Sequence, residues 1–431
     1  MSSFKAKLLK GLAWRFSYYL SAFVLNIFIA HYFGAAKSGI FYLLLNNLAF
    51  VVLIFSLGID AAITYFNARK EIDINQLMSL SIFWSLGILF FSIIFYLLAD
   101  SFKFLLPHPL KIYSLFYVTG SLITSLLSSI VFSTHNNKAP NLFFIILNTL
   151  LVLCLVFQPI WPGSAFDNVF IKIYLSSALL PAFFLIIYLI LKGYRVTLKM
   201  PSLVNQKKFI QFALQSFIFA LLYALLLRFD YWLVNYFSSG TDLGNYIQTT
   251  KLNPVILLIP TLASYSLFPL VVSEVHEQKE IETKLLKLIN LYFFTGLFIC
   301  ICIAATGYWL FPFLYGNSFK KMYSLFLLLA PGTLMLAAAY PLTTFFSGKN
   351  LMKINIKGII IAIIIILILD ILFIPGYGVY GAAIASTIAY TFYFFYLLAA
   401  FKKLHPLKLV MLFNFKTMIK YIISYTGPET K

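Results

Sequence analysis

Charged side chains are scarce in this sequence. They make up 10% of the 431 residues, and only 13 residues are acidic, whereas soluble globular chains carry about 25% charged residues. Hydrophobic residues account for 62% of the chain, which leaves too little polar surface to cover a water-soluble body. The scarcity of charge therefore excludes a soluble fold and predicts an integral membrane protein.

Cysteine and histidine are also rare. The three cysteines, Cys154, Cys300 and Cys302, lie inside apolar stretches, where we expect small apolar side chains rather than a disulfide framework or a metal site. The five histidines are scattered and form no HExxH pattern. A nucleotide-binding loop is absent as well, which argues against direct ATP hydrolysis. We predict no metal and no cofactor.

Twelve apolar stretches are each long enough to cross a bilayer as a helix, which requires about 20 residues. Their approximate ranges are 12–33, 39–66, 76–99, 112–133, 141–160, 169–191, 209–237, 245–271, 286–312, 322–346, 355–374 and 378–401. An open sheet would leave backbone groups unsatisfied in lipid, so the stretches are helical. The sequence predicts an all-α integral membrane protein of about 12 transmembrane helices.

Basic residues are unevenly divided between alternate loops. With the N-terminus in the cytoplasm, 24 of them lie on that side and 6 on the other, while Arg228 and Lys251 fall within helices. The positive-inside rule therefore predicts that both termini are cytoplasmic. The formal charge of +19 follows from this topology, so we expect no nucleic acid as a partner.

The longest internal hydrophilic stretch, near residues 192–208, divides the chain into halves. We expect one six-helix bundle over 1–200, a second over 201–401, and a basic tail over 402–431. The tail is predicted to lie at the membrane surface, because a thirteenth span would place three lysines in the bilayer. The loops are all too short to house a soluble catalytic domain.

A short pattern recurs at the junction between the first two predicted helices of each half. Its two copies are Tyr32, Gly39 and Tyr42, and Tyr236, Gly244 and Tyr246. The first tyrosines of the copies are 204 residues apart. Since six helices separate the copies, both halves have the same topology, and we predict a parallel repeat around a central cavity.

Six ionisable residues are predicted at membrane depth, where a charge is costly and marks a candidate functional site. They are Arg15, Asp60, Arg228, Asp230, Lys251 and Asp370. Arg15 and Asp370 lie near helix ends, where snorkelling to the interface is the alternative explanation. Arg228 and Asp230, two positions apart, are predicted to point to different sides of one helix.

Amide side chains extend the polar stripes on the first two helices. Helical spacing places Asn26 on the same stripe as Arg15, and Asn46 on the same stripe as Asp60. Prolines in the predicted eighth and tenth helices would bend them. Polar stripes on several helices predict a water-filled cavity between the halves.

Three segments resemble a known family. The first runs from GLAWRF to ITYF and contains Arg15, the Tyr32–Gly34 turn and the SLGID run at 56–60. The second is RFDYWLVNYFSSGTDLGNYIQTTKL, and the third is GYGVYGAAIASTIAY. In their order along the chain, these segments resemble the opening, the helix seven–eight pattern and helix twelve of the polysaccharide transporter, or O-antigen flippase, family. The length and the helix count of the whole chain are similar to that family as well.

The resemblance implies the fold of MATE-like exporters in the multidrug/oligosaccharidyl-lipid/polysaccharide exporter superfamily. It implies a flippase rather than an enzyme, located in the bacterial inner membrane. The implied substrate is an undecaprenyl-diphosphate-linked oligosaccharide, turned to the outer leaflet for O-antigen, lipopolysaccharide or capsule synthesis. A polysaccharide polymerase and glycosyltransferases are the implied protein partners.

A diphosphate substrate requires cations in the cavity. We therefore assign substrate binding to Arg15, Arg228, Lys251, Asn26 and Asn46. Ion coupling or charge pairing is assigned to Asp60, Asp230 and Asp370.

Other functions remain open at this point. A drug exporter of the same superfamily would favour cationic substrates, which fit poorly with Arg228 and Lys251. A lipid II flippase would carry a different headgroup on the same lipid. A membrane glycosyltransferase or polymerase would present a large outer loop, and the loops here are short. A structural scaffold would have no need of buried charges.

Overall fold

The computed structural model describes residues 2–98, 110–134, 138–157, 166–197, 203–257, 260, 278–349, 351–404 and 413. Its first seven helices are α1 (Ser2–Ser56), α2 (Ile59–Ala68), α3 (Ile74–Leu98), α4 (Lys111–Ser133), α5 (Lys138–Val156), α6 (Phe166–Ser177) and α7 (Leu179–Leu191). The others are α8 (Leu203–Arg228), α9 (Asp230–Phe237), α10 (Gly240–Thr250), α11 (Asn253–Ile256), α12 (Gln278–Tyr315), α13 (Lys321–Gly348), α14 (Met352–Tyr377) and α15 (Val379–Leu404). Across these ranges there is no strand, and the predicted all-α membrane fold is confirmed.

Ten continuous helical stretches in the described part of the chain are long and apolar enough to cross a membrane. One of them, Ala13–Ser56, has 44 residues and contains two predicted spans, because α1 is kinked at Gly34, whose φ is 67°. The predicted eighth span, 245–271, lies partly outside the described residues. Both facts reconcile ten stretches with the predicted total of about 12 transmembrane helices.

Four of the predicted helices are each divided into two segments, one of them 169–191, where α6 ends at Ser177 and α7 begins at Leu179. The predicted span 39–66 breaks at Leu57 and Gly58, whose φ values are 46° and 72°. The predicted span 209–237 divides at Phe229, between α8 and α9, although the φ of −63° and ψ of −37° at Phe229 remain helical. The predicted span 245–271 breaks between α10 and α11. Hydropathy alone predicts continuous helices here, because an interruption leaves the apolar run unchanged.

The described chain divides into two compact units. Unit 1 comprises residues 1–33 and 43–221, and unit 2 comprises residues 34–42 and 222–431. The core of unit 1 forms where α2, α4 and α7 meet, around Ile63, Leu126 and Leu185. Gly120 of α4 allows a close approach, since a Cβ there would lie 2.7 Å from the backbone nitrogen of Leu179.

Unit 2 is built around α13, which packs against α12 and α15. Gly332 brings α13 close to α15, because a Cβ at this position would lie 2.5 Å from the Cα atom of Thr387. Aromatic rings fill the end of this contact, with Phe345 and Phe401 centroids 5.0 Å apart. These contacts pack α13 closely against α15, the helix that carries Ser386.

Residues 34–42, which we call the junction segment, belong to unit 2 although the chain on both sides belongs to unit 1. The Ala35 N–H donates to Ser318 Oγ at 3.1 Å. A Cβ on Gly39 would lie 2.6 Å from the Gly244 backbone nitrogen. The two glycines of the repeated pattern therefore contact each other.

The two bundles predicted over 1–200 and 201–401 follow the halves of the sequence. The two compact units are instead defined by which residues pack together. Unit 2 begins later than residue 201 and also takes in the junction segment. Duplication of the halves stays a prediction. The predicted surface tail, 402–431, lies largely outside the described residues.

Candidate functional site

Arg228 and Lys251 both belong to unit 2, and both lie at helix interruptions. Arg228 is the last residue of α8 and is exposed, while Lys251 caps the C-terminal end of α10 and is partly buried. The charge of Arg228 acts on the Lys251 ammonium. The structure thus brings these two predicted substrate-binding cations into one electrostatic environment, in which an anion would be stabilised.

Lys251 is held by an aromatic ring of the junction segment. Its Nζ atom lies 2.7 Å from the ring centroid of Tyr42, and Tyr42 is 4% exposed. A desolvated ammonium over an aromatic face is stabilised by about 2 kcal/mol. Sequence reasoning missed this role for Tyr42, because a tyrosine in an apolar helix is indistinguishable from a packing residue.

Asp230 begins α9 and is 1% exposed. Its Oδ2 atom accepts hydrogen bonds from the Tyr246 hydroxyl and, at 3.0 Å, from the Ser386 hydroxyl. Backbone N–H groups at the start of α9 also interact with the carboxylate, as expected at a helix N-terminus. Arg228 is exposed whereas Asp230 is buried, so the two residues face different sides, as the sequence spacing predicts.

Asp370 of α14 is fully buried, so it does not snorkel to the interface. Both of its carboxylate oxygens, like Oδ1 of Asp230, have no hydrogen-bond partner within the described ranges. The charge of Asp230 acts on Asp370, and α9 packs against α14. Two carboxylates that interact at membrane depth repel each other strongly when both are charged, because the medium has a low dielectric constant.

Asp60 lies in unit 1, in the first turn of α2, directly after the break at Gly58. It is less buried than Asp230, and backbone N–H groups of Asp60 and Ala61 interact with its carboxylate. The break is enforced by packing, since a Cβ on Gly58 would lie 2.8 Å from the Phe217 backbone nitrogen. After this break, α2 begins with an acidic residue in its first turn.

The other predicted site residues lie in unit 1. The Arg15 guanidinium lies 5.7 Å from the ring centroid of Phe132. Asn26 donates to the Ala22 carbonyl at 2.7 Å. Asn46 is 5% exposed, and neither its Nδ2 nor its Oδ1 atom has a described hydrogen-bond partner. In unit 1, Asn46 is thus the predicted residue whose hydrogen-bonding capacity remains available.

The sequence profile of a family described as polysaccharide biosynthesis protein matches residues 9–271, which include Arg15, Asp60, Arg228, Asp230 and Lys251. The match covers more than half of the chain. This chain belongs to the polysaccharide biosynthesis protein family. The sequence has no significant match among curated proteins.

Solved structures show which fold this family member has. The lipid II flippase MurJ in an inward closed conformation matches with a TM-score of 0.73 and 16% identity, covering 98% of this chain and 94% of MurJ. The Vibrio cholerae MATE transporter VcmN matches with a TM-score of 0.67 and 14% identity, covering 94% of this chain and 97% of VcmN. A transporter of the MOP superfamily from Pyrococcus furiosus matches with a TM-score of 0.63 and 16% identity, covering 92% and 94% of the two chains. The polysaccharide biosynthesis family member therefore has the MOP transporter fold.

Proposed function

We propose that this protein is a flippase that turns an undecaprenyl-diphosphate-linked oligosaccharide from the cytoplasmic to the outer leaflet of the inner membrane. The product would supply O-antigen, lipopolysaccharide or capsule-type synthesis, with a polymerase and glycosyltransferases as partners. The cation pair of Arg228 and Lys251 is the observation that carries the proposal. Membership in the polysaccharide biosynthesis family and the MOP transporter fold support it.

The chemistry of the pair suits a diphosphate. A guanidinium can hold two phosphate oxygens at once, whereas an ammonium acts as a point charge. The polyprenyl tail can remain in lipid while the headgroup crosses. The cations would lower the cost of bringing the headgroup to membrane depth, since a charged group there otherwise loses its hydration.

Export of lipid-linked glycan, at matched membrane levels of each variant, tests this function. We expect Arg228→Ala and Lys251→Ala each to reduce export, and the double variant to reduce it by about tenfold or more. Arg228→Lys should already impair export because the two-point grip is lost. Arg195→Ala, an exposed cation in a loop, serves as the control. Wild-type export from the folded double variant would contradict the proposal.

Asp230 and Asp370 are proposed to couple this transport to an ion gradient. Ser386 and Tyr246 orient one carboxylate oxygen of Asp230, and the remaining carboxylate oxygens are available for a proton or Na⁺. Occupation by one such cation would remove the repulsion between two full negative charges and change how α9 packs against α14. This step needs no covalent chemistry and no nucleotide.

Orientation in the membrane is a separate part of the proposal. Loop charges favour cytoplasmic termini. In a background without the three native cysteines, cysteines engineered near Asp167 and Asp242 should react with an impermeant reagent added outside intact cells. Cysteines near Arg69 and Lys349 should not react, and their labelling would reverse or refute the topology.

A further inference from the structure

Gln248 of α10 is a buried amide that the proposed site has not yet used. It is 1% exposed, and neither Nε2 nor Oε1 has a hydrogen-bond partner within the described residues. An unsatisfied buried amide costs free energy, and native proteins contain few of them. Such a group calls for an explanation, and contact with a polar substrate during transport provides one.

The position of Gln248 on α10 relates it to the cation pair. Gly244 precedes it by four residues and Lys251 follows it by three, so all three lie on one helix face. Gly244 contacts the junction segment at Gly39, and Lys251 contacts it at Tyr42. Gln248 therefore lies on the face of α10 that carries Lys251.

The carboxylate pair lies on another face. Tyr246, which donates to Asp230, is two positions from Gln248 and therefore points away from it. An amide beside an ammonium, and separated from carboxylates, is suited to an anion rather than to a cation. A second unsatisfied amide, Asn46, lies four residues after Tyr42 on its own helix.

We propose that Gln248 is a further substrate-binding residue that recognises the sugar-diphosphate part of the headgroup, an inference that rests on the proposed function. Its Nε2 donates to a phosphate oxygen next to the Lys251 ammonium. Its Oε1 accepts a hydrogen bond from a hydroxyl of the first sugar. A neutral amide supplies both contacts without adding a third positive charge to the pair.

A purely structural role makes a different prediction. If Gln248 only filled space, Gln248→Met would keep the volume, remove the unsatisfied atoms and leave ligand binding unchanged. In our proposal the same change weakens diphosphate binding by roughly tenfold to a hundredfold, the loss expected for hydrogen bonds to a charged group. In both cases the melting temperature of the ligand-free protein should stay the same or rise, because a buried unsatisfied amide is removed.

The experiment uses the purified full chain in detergent, with inorganic pyrophosphate and farnesyl diphosphate as probes. Affinity is measured by calorimetry and by ligand-induced thermal shift for the wild type, Gln248→Met and Gln248→Glu. Gln215→Met, which makes the same change at an exposed position of α8, is the matched control. Tighter binding of farnesyl diphosphate than of pyrophosphate identifies a lipid headgroup as the ligand, and the reverse order contradicts that assignment.

Loss of affinity in Gln248→Met, with an unchanged control and a retained melting transition, supports the proposal. Affinity equal to the wild type refutes it. Should Gln248→Met fail to fold, Gln248→Glu decides, because a carboxylate of the same size should repel the phosphate, and wild-type affinity in that variant also refutes the proposal. A wild type that binds the probes but exports no glycan would contradict the flippase function and leave this binding residue standing. A wild type that exports glycan but binds neither probe would contradict the binding role of Gln248 and leave the flippase function standing.

Discussion

Tyr42 and Tyr246 occupy equivalent places in the two copies of the repeated pattern, yet they use different parts of the side chain. Tyr42 presents its ring face to the Lys251 ammonium. Tyr246 donates its hydroxyl to the Asp230 carboxylate. The residue type is the same, but Tyr42 contacts a cation through its π-system, whereas Tyr246 binds an anion through a hydrogen bond.

The same offset of 204 residues joins Asn26 in unit 1 to Asp230 in unit 2. Asn26 donates to its own helix backbone, whereas Asp230 is buried under two hydroxyl donors. A neutral amide in one copy thus stands where the other copy has a carboxylate. The two copies thus differ at this position, and both carboxylates of the proposed ion-coupling pair, Asp230 and Asp370, lie in unit 2.

The largest loss of stability should come from disturbing the contact between Gly39 and Gly244. A Cβ in Gly244→Ala would lie 2.7 Å from the Ala35 carbonyl carbon, and backbone atoms cannot move aside as a flexible side chain can. We expect a loss of about 2–4 kcal/mol in stability, measured by thermal unfolding in detergent. Gly87→Ala is the control, since no atom lies within 4 Å of its Cβ, and it should stabilise α3 by up to about 1 kcal/mol. Equal stability of both variants would contradict the contact between the copies.

Removing the charge that distinguishes the copies should have the next largest effect. Asp230→Asn makes the second copy resemble the first, and we expect gradient-dependent transport in proteoliposomes to fall by roughly tenfold or more. Asp370→Asn should give a similar loss, and the double variant should be little worse, because the two residues act as one unit. Full gradient dependence in both single variants would exclude the carboxylate pair as the coupling site.

A conservative change at the two tyrosines should separate their roles. Tyr246→Phe removes the hydroxyl from Asp230 and should reduce transport by about threefold to tenfold, the cost of an ordinary hydrogen bond, because Ser386 still donates to the carboxylate. Tyr42→Phe keeps the ring face and should leave transport within about twofold of the wild type. Tyr42→Leu removes the ring and should reduce it. A reversed order of the two phenylalanine variants would show that the assignment of the tyrosines is wrong.

The smallest effect is expected in unit 1. Asp60 is less buried than Asp230 and lacks the hydroxyl donors that Asp230 has among the described residues. Asp60→Asn keeps the capping of α2, since an amide oxygen can also accept from the backbone N–H groups. We expect transport to change by about twofold or less, measured in the same proteoliposomes. A loss as large as that of Asp230→Asn would move ion coupling into unit 1 as well.

Much of this fold could be predicted from hydropathy. Runs such as 355–374 are mainly apolar, so their helical state and membrane location follow from the medium. The ionisable residues also stand out, because an Asp or a Lys in an apolar run is costly and therefore informative. The different faces of Arg228 and Asp230 follow from helical spacing alone.

Other features depend on contacts between residues far apart in sequence. The break at Gly58 requires a positive φ and a close approach to Phe217, neither of which the SLGID run specifies by itself. Asp370 lies close to a helix end, and its burial follows from the packing of α14 against its neighbouring helices, α9 and α15 among them, rather than from its place in the sequence. Tyr42 and Gln248 carry no sequence signal, because tyrosines and single amides are common in packed helices.

The junction segment has a consequence for biogenesis. The surface of Gly39 that packs against Gly244 stays uncovered at first during synthesis, because the ribosome adds Gly244 205 residues later. The two spans of α1 therefore enter the membrane before the residues that cover the junction segment have been made. A chaperone or an insertase could bind this uncovered surface in the meantime. Two separately expressed halves, cut between residues 192 and 208, would each lack part of a packing unit, and their recovery should depend on co-expression.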